Sequence, residues 1–140
     1  MTIEKLTEAS EAVLTDLNRV NDQLHEGRVG TIKDLQALLN DQNLTVVVVK
    51  DGTKIVGMAS LYVLQKLGKR GGYIEDVVVD SAYRGQGLGE KLVREVLAIA
   101  REKKANSVYL TSRPIHEAAH NLYRKVGFGV KETTVFTMSL

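Results

Sequence analysis

A glycine-rich stretch between an apolar segment and an amphipathic segment most constrains how this chain can fold. Residues 74–79 have strand character, glycines stand at the alternate positions 85, 87 and 89, and residues 88–103 repeat apolar side chains at helical spacing. A strand, a glycine loop and a helix in succession are typical of a mixed α/β domain. Each glycine costs about 0.5–1 kcal/mol relative to alanine in regular structure, so three of them indicate a loop whose bare backbone is needed.

The loop is predicted to bind a phosphate group. Backbone N–H groups at a helix start lack partners within the helix, and the positive end of the helix dipole favours an anion. A nucleoside triphosphate loop would continue with Lys-Ser or Lys-Thr, but Gly89 is followed by Glu90 and Lys91. A dinucleotide fold would carry G-x-G-x-x-G near the chain start, and neither class fits. The predicted binding loop consists of Arg84, Gly85, Gln86, Gly87, Leu88 and Gly89.

The remaining segments alternate between strand and helix patterns. Strands are predicted at residues 3–6, 44–49, 54–64, 73–79, 107–111 and 133–139. Helices are predicted after the N-caps Ser10 and Thr31, and at residues 88–103 and 115–126. Asp51-Gly52 predicts a hairpin turn, and residues 67–72 a basic loop. We predict a single α/β domain over residues 1–140.

Composition excludes several other classes. The chain has 140 residues and a formal charge of +2, too small to indicate nucleic-acid binding. It has no cysteine, which excludes disulfides and a thiol nucleophile. No apolar stretch approaches the roughly 20 residues of a membrane span, so we expect a cytoplasmic protein with no membrane partner. The three histidines lack carboxylates at ligand spacing, so no metal is expected, and His25 and His120 are predicted to be surface residues.

Two blocks of residues resemble the GNAT superfamily of N-acetyltransferases. The first is Arg84-x-x-Gly87-x-Gly89 after the apolar Val77, Val78 and Val79; the second consists of Ala119, Leu122, Tyr123, Lys125, Gly127 and Phe128. The resemblance implies about four helices and a mixed sheet of about six to seven strands. The parallel strands 73–79 and 107–111 would splay into a V-shaped slot. Acetyl-coenzyme A would lie there, its pantetheine along Val77–Val79 and its pyrophosphate on the loop.

The residue pattern and the resemblance together indicate roles for single residues. Helical spacing alone makes Tyr123 a core aromatic, whereas the family would have it protonate the leaving thiolate. Glu75 and Asp76 are adjacent acids in a predicted central strand, on opposite faces by simple alternation. Either would orient the amine or take its proton; the alternative is that one acid caps a loop or forms a surface ion pair with Arg84 or Lys69. Arg113 is a candidate for binding an anionic substrate or the cofactor, or a solvated surface arginine. His116 stands where many family members carry an asparagine that contacts pantetheine.

The predicted function is direct transfer of acetyl to a primary amine of a small molecule. Residues 74–89 are similar to glucosamine 6-phosphate N-acetyltransferases, whereas residues 110–114 resemble GNAT proteins of unassigned substrate. Acetylation of a protein amine, and a non-catalytic acetyl-coenzyme A sensor, stay open as alternatives. The family is often dimeric, and an apolar last strand at residues 133–139 could support a sheet shared by a homodimer.

Overall fold

The computed structural model describes all residues from Met1 to Leu140. Five strands and four α-helices follow one another along the chain, with a short 3₁₀ turn at Ser81–Tyr83. The strands are β1 (Thr2–Lys5), β2 (Leu44–Asp51), β3 (Lys54–Lys66), β4 (Lys69–Val79) and β5 (Ser107–Tyr109). The helices are α1 (Glu11–Asp22), α2 (Ile32–Asn40), α3 (Leu88–Glu102) and α4 (Glu117–Val126).

The strands form one mixed sheet in the order β1-β2-β3-β4-β5. Neighbouring strands are antiparallel except for β4 and β5, which are parallel and are connected through α3. This crossover is the βαβ unit that parallel strands require. The predicted mixed α/β class and the four helices are therefore confirmed.

The sheet carries an apolar core on each face. Leu92, Val96 and Ile99 of α3 pack with Val47 and Leu61 of the sheet in one cluster. Leu17 of α1 and Leu35 of α2 pack with alternate residues of β2, such as Val46 and Val48, in the other. Strand side chains point alternately to the two faces, which explains why the almost wholly apolar β2 serves both cores.

Helix starts follow the predicted capping residues. The backbone N–H of Val13 donates to Ser10 Oγ at 3.3 Å. Thr31 and Asp34 form a capping box, in which each side chain accepts a hydrogen bond from the other's backbone N–H, at 3.2 and 2.7 Å. Such caps satisfy donors that the helix leaves free, and each typically stabilises by about 1 kcal/mol.

Three expectations about the strands are wrong. The sheet has five strands rather than six to seven, and residues 133–139 form none. Val135, Phe136 and Met138 are instead exposed, since strand propensity produces a strand only where a neighbouring strand accepts its hydrogen bonds. Residues 69–72 of the predicted basic loop belong to β4, which leaves a tight turn at Leu67-Gly68. The predicted strand 107–111 ends at Tyr109, where its pairing ends.

Candidate active site

A cleft opens where β4 and β5 part. The two strands pair only from Gly71 with Ser107 to Tyr73 with Tyr109. Beyond this point β4 continues to Val79, whereas the chain after Tyr109 leaves the sheet. A cavity of about 950 Å³ lies there, lined on its two sides by residues 74–79 and 110–113. Its volume is at the upper end of what a small-molecule site usually needs.

The glycine loop opens onto this cleft with its backbone donors free. None of the backbone N–H groups from residue 85 to residue 90 donates a hydrogen bond within the protein. Gly87 is the N-cap residue of α3 and has no side chain to cap the helix. Six successive donors at a helix start make a site for an anion, because the helix dipole adds positive potential there.

The three glycines of the loop serve two purposes. Gly85 and Gly87 adopt φ values of 78° and 75°, which residues with a Cβ rarely adopt, and the space around both is open. Gly89 instead lies inside α3, where an added Cβ would come within 3.0 Å of Leu122 Cδ1 of α4. The first two glycines shape the loop, whereas the third lets α4 approach α3 beside the cleft.

A bulge in β4 sets the position of the two acids. Ser60 pairs with Glu75 and Met58 with Val78, so one residue of β3 faces two residues of β4, Asp76 and Val77. Asp76 has φ 53°. A bulge interrupts the pleat and redirects side chains, and bulges are over-represented beside active sites. The regular alternation that predicted opposite faces for Glu75 and Asp76 therefore does not hold here.

Asp76 pairs with a histidine from a distant part of the chain. His25 follows α1, and its Nε2 lies 2.8 Å from Asp76 Oδ1. Both side chains are about one-third exposed, at 31% and 32%, and both line the cavity. The surface position predicted for His25 is thus only half right, because its ring faces the cleft.

Burial and charge act together on Glu75. Partial burial of its carboxyl raises the pKa of Glu75, the negative charge of Asp76 raises it further, and His25 lowers it. Two adjacent acids and an imidazole at a cleft form a coupled group that can attract a cation and exchange protons. Perturbed acids in a cleft are typical of functional sites, although ion-pair networks also produce them.

Tyr123 lies on α4 and lines the same cavity. Its ring packs edge-to-face on Phe128 at a centroid distance of 5.8 Å. Its hydroxyl makes no hydrogen bond within the protein, and burial raises the pKa of Tyr123. The residue is therefore both the packed aromatic that its spacing predicted and a neutral phenol available to a ligand.

A family model described as the acetyltransferase (GNAT) family matches residues 11–128. The chain belongs to that family. This confirms the resemblance inferred from the glycine loop and the second block. None of the four helices combines the length and apolar character needed to cross a membrane.

The chain is similar in sequence to two acetyltransferases and in structure to a third. The chain is 43% identical to the glucosamine 6-phosphate N-acetyltransferase of Trypanosoma brucei brucei over 56% of its own length and 54% of the relative. It is 34% identical to a probable glucosamine 6-phosphate N-acetyltransferase 2 of rice, Oryza sativa subsp. japonica, over 84% of this chain and 72% of the relative. An aminoglycoside acetyltransferase from an uncultured soil metagenomic sample superposes with TM-score 0.86 at 29% identity, covering 99% of this chain and 95% of that one.

The structure brings nearly all of the predicted site residues of this GNAT protein to one cleft. The cavity is lined by Glu75, Asp76, Val77, Val78, Val79, Arg84, Gly85, Gly87, Leu88, Gly89, Arg113, His116 and Tyr123. Gln86 is exposed and does not line it. The Val78 side chain packs into the core on the α1 side of the sheet, so only its backbone can serve a ligand.

The two basic candidates lie at the same end of the cleft. Arg113 is exposed, and its carbonyl oxygen accepts from the backbone N–H of His116 at 3.1 Å. Its carbonyl also lies 2.9 Å from Nε2 of His120, so His120 braces this segment. His116 is the N-cap residue of α4 but makes no capping bond through its side chain, which leaves the ring free at the cavity wall.

The loop after α1 was missed by sequence reasoning. Gln23, Leu24 and His25 all line the cavity. Gln23 Oε1 accepts from the backbone N–H of Ser81 at 2.8 Å, which holds this loop against the end of β4. No motif marks these residues, and His25 and Asp76 lie 51 positions apart. Only the placement of α1 over β4 brings them together.

Proposed function

We propose that this protein transfers the acetyl group of acetyl-coenzyme A directly to a primary amine of a small molecule. The observation that carries the proposal is the row of six free backbone N–H groups at residues 85–90, which opens onto the cleft shared by Tyr123, Glu75 and Asp76. Family membership supports the reaction class. The absence of cysteine agrees with transfer without a cysteine acyl-enzyme.

The cleft fits coenzyme A through its donors and its open strand edge. Residues 85–90 would hold the pyrophosphate, since unpaired N–H groups need an anionic acceptor. The edge of β4 beyond Tyr73 has no paired strand, so its backbone at Val77 and Val79 would hydrogen-bond the pantetheine amides. When bound, the cofactor supplies an acetyl thioester.

Tyr123 is proposed as the general acid. The leaving thiolate needs a proton, and a phenol can donate it when placed within hydrogen-bond distance. A phenol is ordinarily protonated near pH 7, and burial raises the pKa of Tyr123 further, so the hydroxyl holds its proton until the thiolate forms. Its free hydroxyl has no partner to give up before donating.

The acceptor is proposed to be a small cationic amine that carries further polar groups. Glu75 and Asp76 attract an ammonium group, and Arg113 on the facing wall would bind an anionic or hydroxylated part of the acceptor. The names of three relatives point in the same direction, because glucosamine 6-phosphate is an amino sugar and aminoglycosides contain amino sugars.

The test is release of free thiol from acetyl-coenzyme A over an amine panel. The panel contains glucosamine 6-phosphate, sisomicin, polyamines, amino acids and a peptide with a free N-terminus, and a reaction without amine measures hydrolysis. We expect thiol release well above hydrolysis with at least one small amine. Acetylation of the peptide alone would support the protein-amine alternative. Calorimetric binding of acetyl-coenzyme A without any turnover would support the sensor.

A further inference from the structure

The pair formed by His25 and Asp76 has geometry suited to proton removal. We propose that His25 Nδ1 accepts the proton that the acceptor ammonium loses before it attacks, and that Asp76 is the residue that positions His25. This inference rests on the proposed acetyl transfer and assigns the base of that reaction to a residue outside the two blocks shared with the family.

The backbone holds His25 firmly although it follows the end of a helix. Its N–H donates to the carbonyl oxygen of Asn21 at 2.8 Å, and its own carbonyl accepts from the N–H of Arg28 at 3.0 Å. Two residues earlier, the Gln23 side chain is bonded to Ser81 beyond β4. A general base must be placed before it can act, and these bonds fix the backbone that carries the ring.

The bond to Asp76 determines which ring nitrogen is free. An ionised carboxylate only accepts hydrogen bonds, so Nε2, 2.8 Å from Asp76 Oδ1, carries the hydrogen. The proton on Nε2 leaves the lone pair of a neutral imidazole on Nδ1, which has no hydrogen-bond partner in the protein. The ring is 31% exposed at the cavity wall, so an amine or a bridging water can reach it.

The bulge explains why Asp76 rather than Glu75 orients the ring. Asp76 is the residue that the bulge takes out of the regular pairing, with φ 53°. A non-glycine residue in this region costs of order 1–3 kcal/mol and persists only where its surroundings impose it. Here the strained backbone at Asp76 places its carboxylate against the His25 imidazole. This contact orients the ring and stabilises the imidazolium once it has formed.

Imidazole suits this step better than the carboxylate it is paired with. Asp76 Oδ1 is already engaged by Nε2 at 2.8 Å, whereas Nδ1 of the ring keeps a free lone pair for the proton. The charged groups around His25 are Asp76 and Glu75 of β4, Asp22, Glu26 and Arg28 of its own loop, and Arg113 of the segment after β5. Glu75 then serves to attract the ammonium.

The proton step balances with water as the final proton acceptor. One N–H bond of the ammonium breaks, its electron pair stays on the amine nitrogen, and the proton forms a bond to Nδ1. The imidazolium charge is offset by Asp76 at 2.8 Å. The neutral amine attacks the thioester carbonyl, the C–S bond breaks as the Tyr123 hydroxyl gives its proton to the leaving sulfur, and the second proton lost by the nitrogen restores Tyr123. The proton on Nδ1 later leaves to water through the open cleft.

The test compares pH profiles of kcat/KM for wild type, His25→Gln and Asp76→Asn with the best amine of the panel. We expect His25→Gln to lower kcat at pH 7 by about 10²-fold with little change in KM. Its rate should recover as pH rises toward the pKa of the amine, because a neutral amine needs no base. Asp76→Asn should show a smaller loss in the same direction. Glu95→Gln, a charge change at an exposed residue of α3 that does not line the cavity, is the control and should keep the wild-type profile.

Each outcome decides the inference. A His25→Gln variant with the wild-type pH profile, or with only a raised KM, would overturn it, and so would an equal change in Glu95→Gln. His25→Asn and thermal unfolding check that lost activity is not lost folding. If the wild type acetylates no amine, the proposed function fails and this assignment fails with it. An active wild type with an unaffected His25→Gln refutes the assignment alone.

Discussion

Replacing Gly87 by glutamate and by glutamine isolates the electrostatic part of the proposed phosphate site. Both substitutions place a side chain of the same shape at a position with φ 75°, where a Cβ meets no heavy atom within 4 Å. The left-handed conformation costs a residue with a Cβ about 1–2 kcal/mol. That cost is the same for the two variants and cancels in their comparison.

The difference between the two variants is one negative charge beside the site of a diphosphate. Two like charges about 4 Å apart repel by about 1 kcal/mol in bulk water and by about 4 kcal/mol at an effective dielectric constant of 20. Because Gly87 is exposed, the lower half of this range applies. We therefore expect coenzyme A to bind Gly87→Glu about 5- to 30-fold more weakly than Gly87→Gln, as about 1–2 kcal/mol implies.

Calorimetric titration of coenzyme A into each folded variant measures the effect. The difference in affinity for coenzyme A between the two variants should decrease as the salt concentration is raised, because ions screen exposed charges over about 10 Å at 0.1 M. Desulfo-coenzyme A should show the same gap, since the thiol lies outside this contact. Equal dissociation constants for the two variants at low salt would refute the reasoning and remove the loop from the site.

Three further perturbations test other parts of the structure. Tyr123→Phe keeps the ring packing on Phe128 and should lower kcat by about 10²-fold or more while calorimetric affinity for acetyl-coenzyme A stays the same; an unchanged kcat would exclude the acid role. Asp80→Asn should lose about 1–3 kcal/mol in urea unfolding at pH 7. The pKa of Asp80 is lowered first by the hydrogen bond from the N–H of Ala82, so its stabilisation is present above the ordinary carboxyl pKa and is lost as pH falls through the lowered one. A difference in unfolding free energy between wild type and Asp80→Asn that stays constant into acid would contradict this origin of the stabilisation. Gly89→Ala should gain less in unfolding free energy than the about 0.5–1 kcal/mol that alanine ordinarily adds inside a helix, because its Cβ comes to 3.0 Å from Leu122 Cδ1; adding Leu122→Ala should remove that steric cost, and full additivity of the two changes would disprove the contact.

Features fixed by neighbouring residues could be predicted from the sequence. Ser10 and Thr31 cap their helices through bonds that span three positions. The glycine loop could be predicted for the same reason. Its features belong to one short segment: the positive φ of Gly85 and Gly87 and the start of α3 without a side-chain cap. Such interactions compete only with local alternatives, so residue type and spacing determine them.

Features that need two distant segments could not be predicted in this way. The bulge at Asp76 exists only through the register of β4 against β3, and neither strand carries a residue that marks it. His25 has no sequence neighbour that indicates a site, because its partner is 51 positions away. At residues 133–139 the local residue preference predicted a strand, but no neighbouring strand pairs with this segment and no strand forms.

The cleft itself follows from the unequal lengths of β4 and β5. β4 has 11 residues and β5 has three, so most of the β4 edge on that side has no paired strand. Such an edge leaves N–H and C=O groups that require other partners. The glycine loop continues from the same end of β4, and the bulge that sets Asp76 against His25 lies in its unpaired part. A β5 long enough to pair as far as Val79 would satisfy that edge and close the space between the strands, so the short β5 is a requirement of the site.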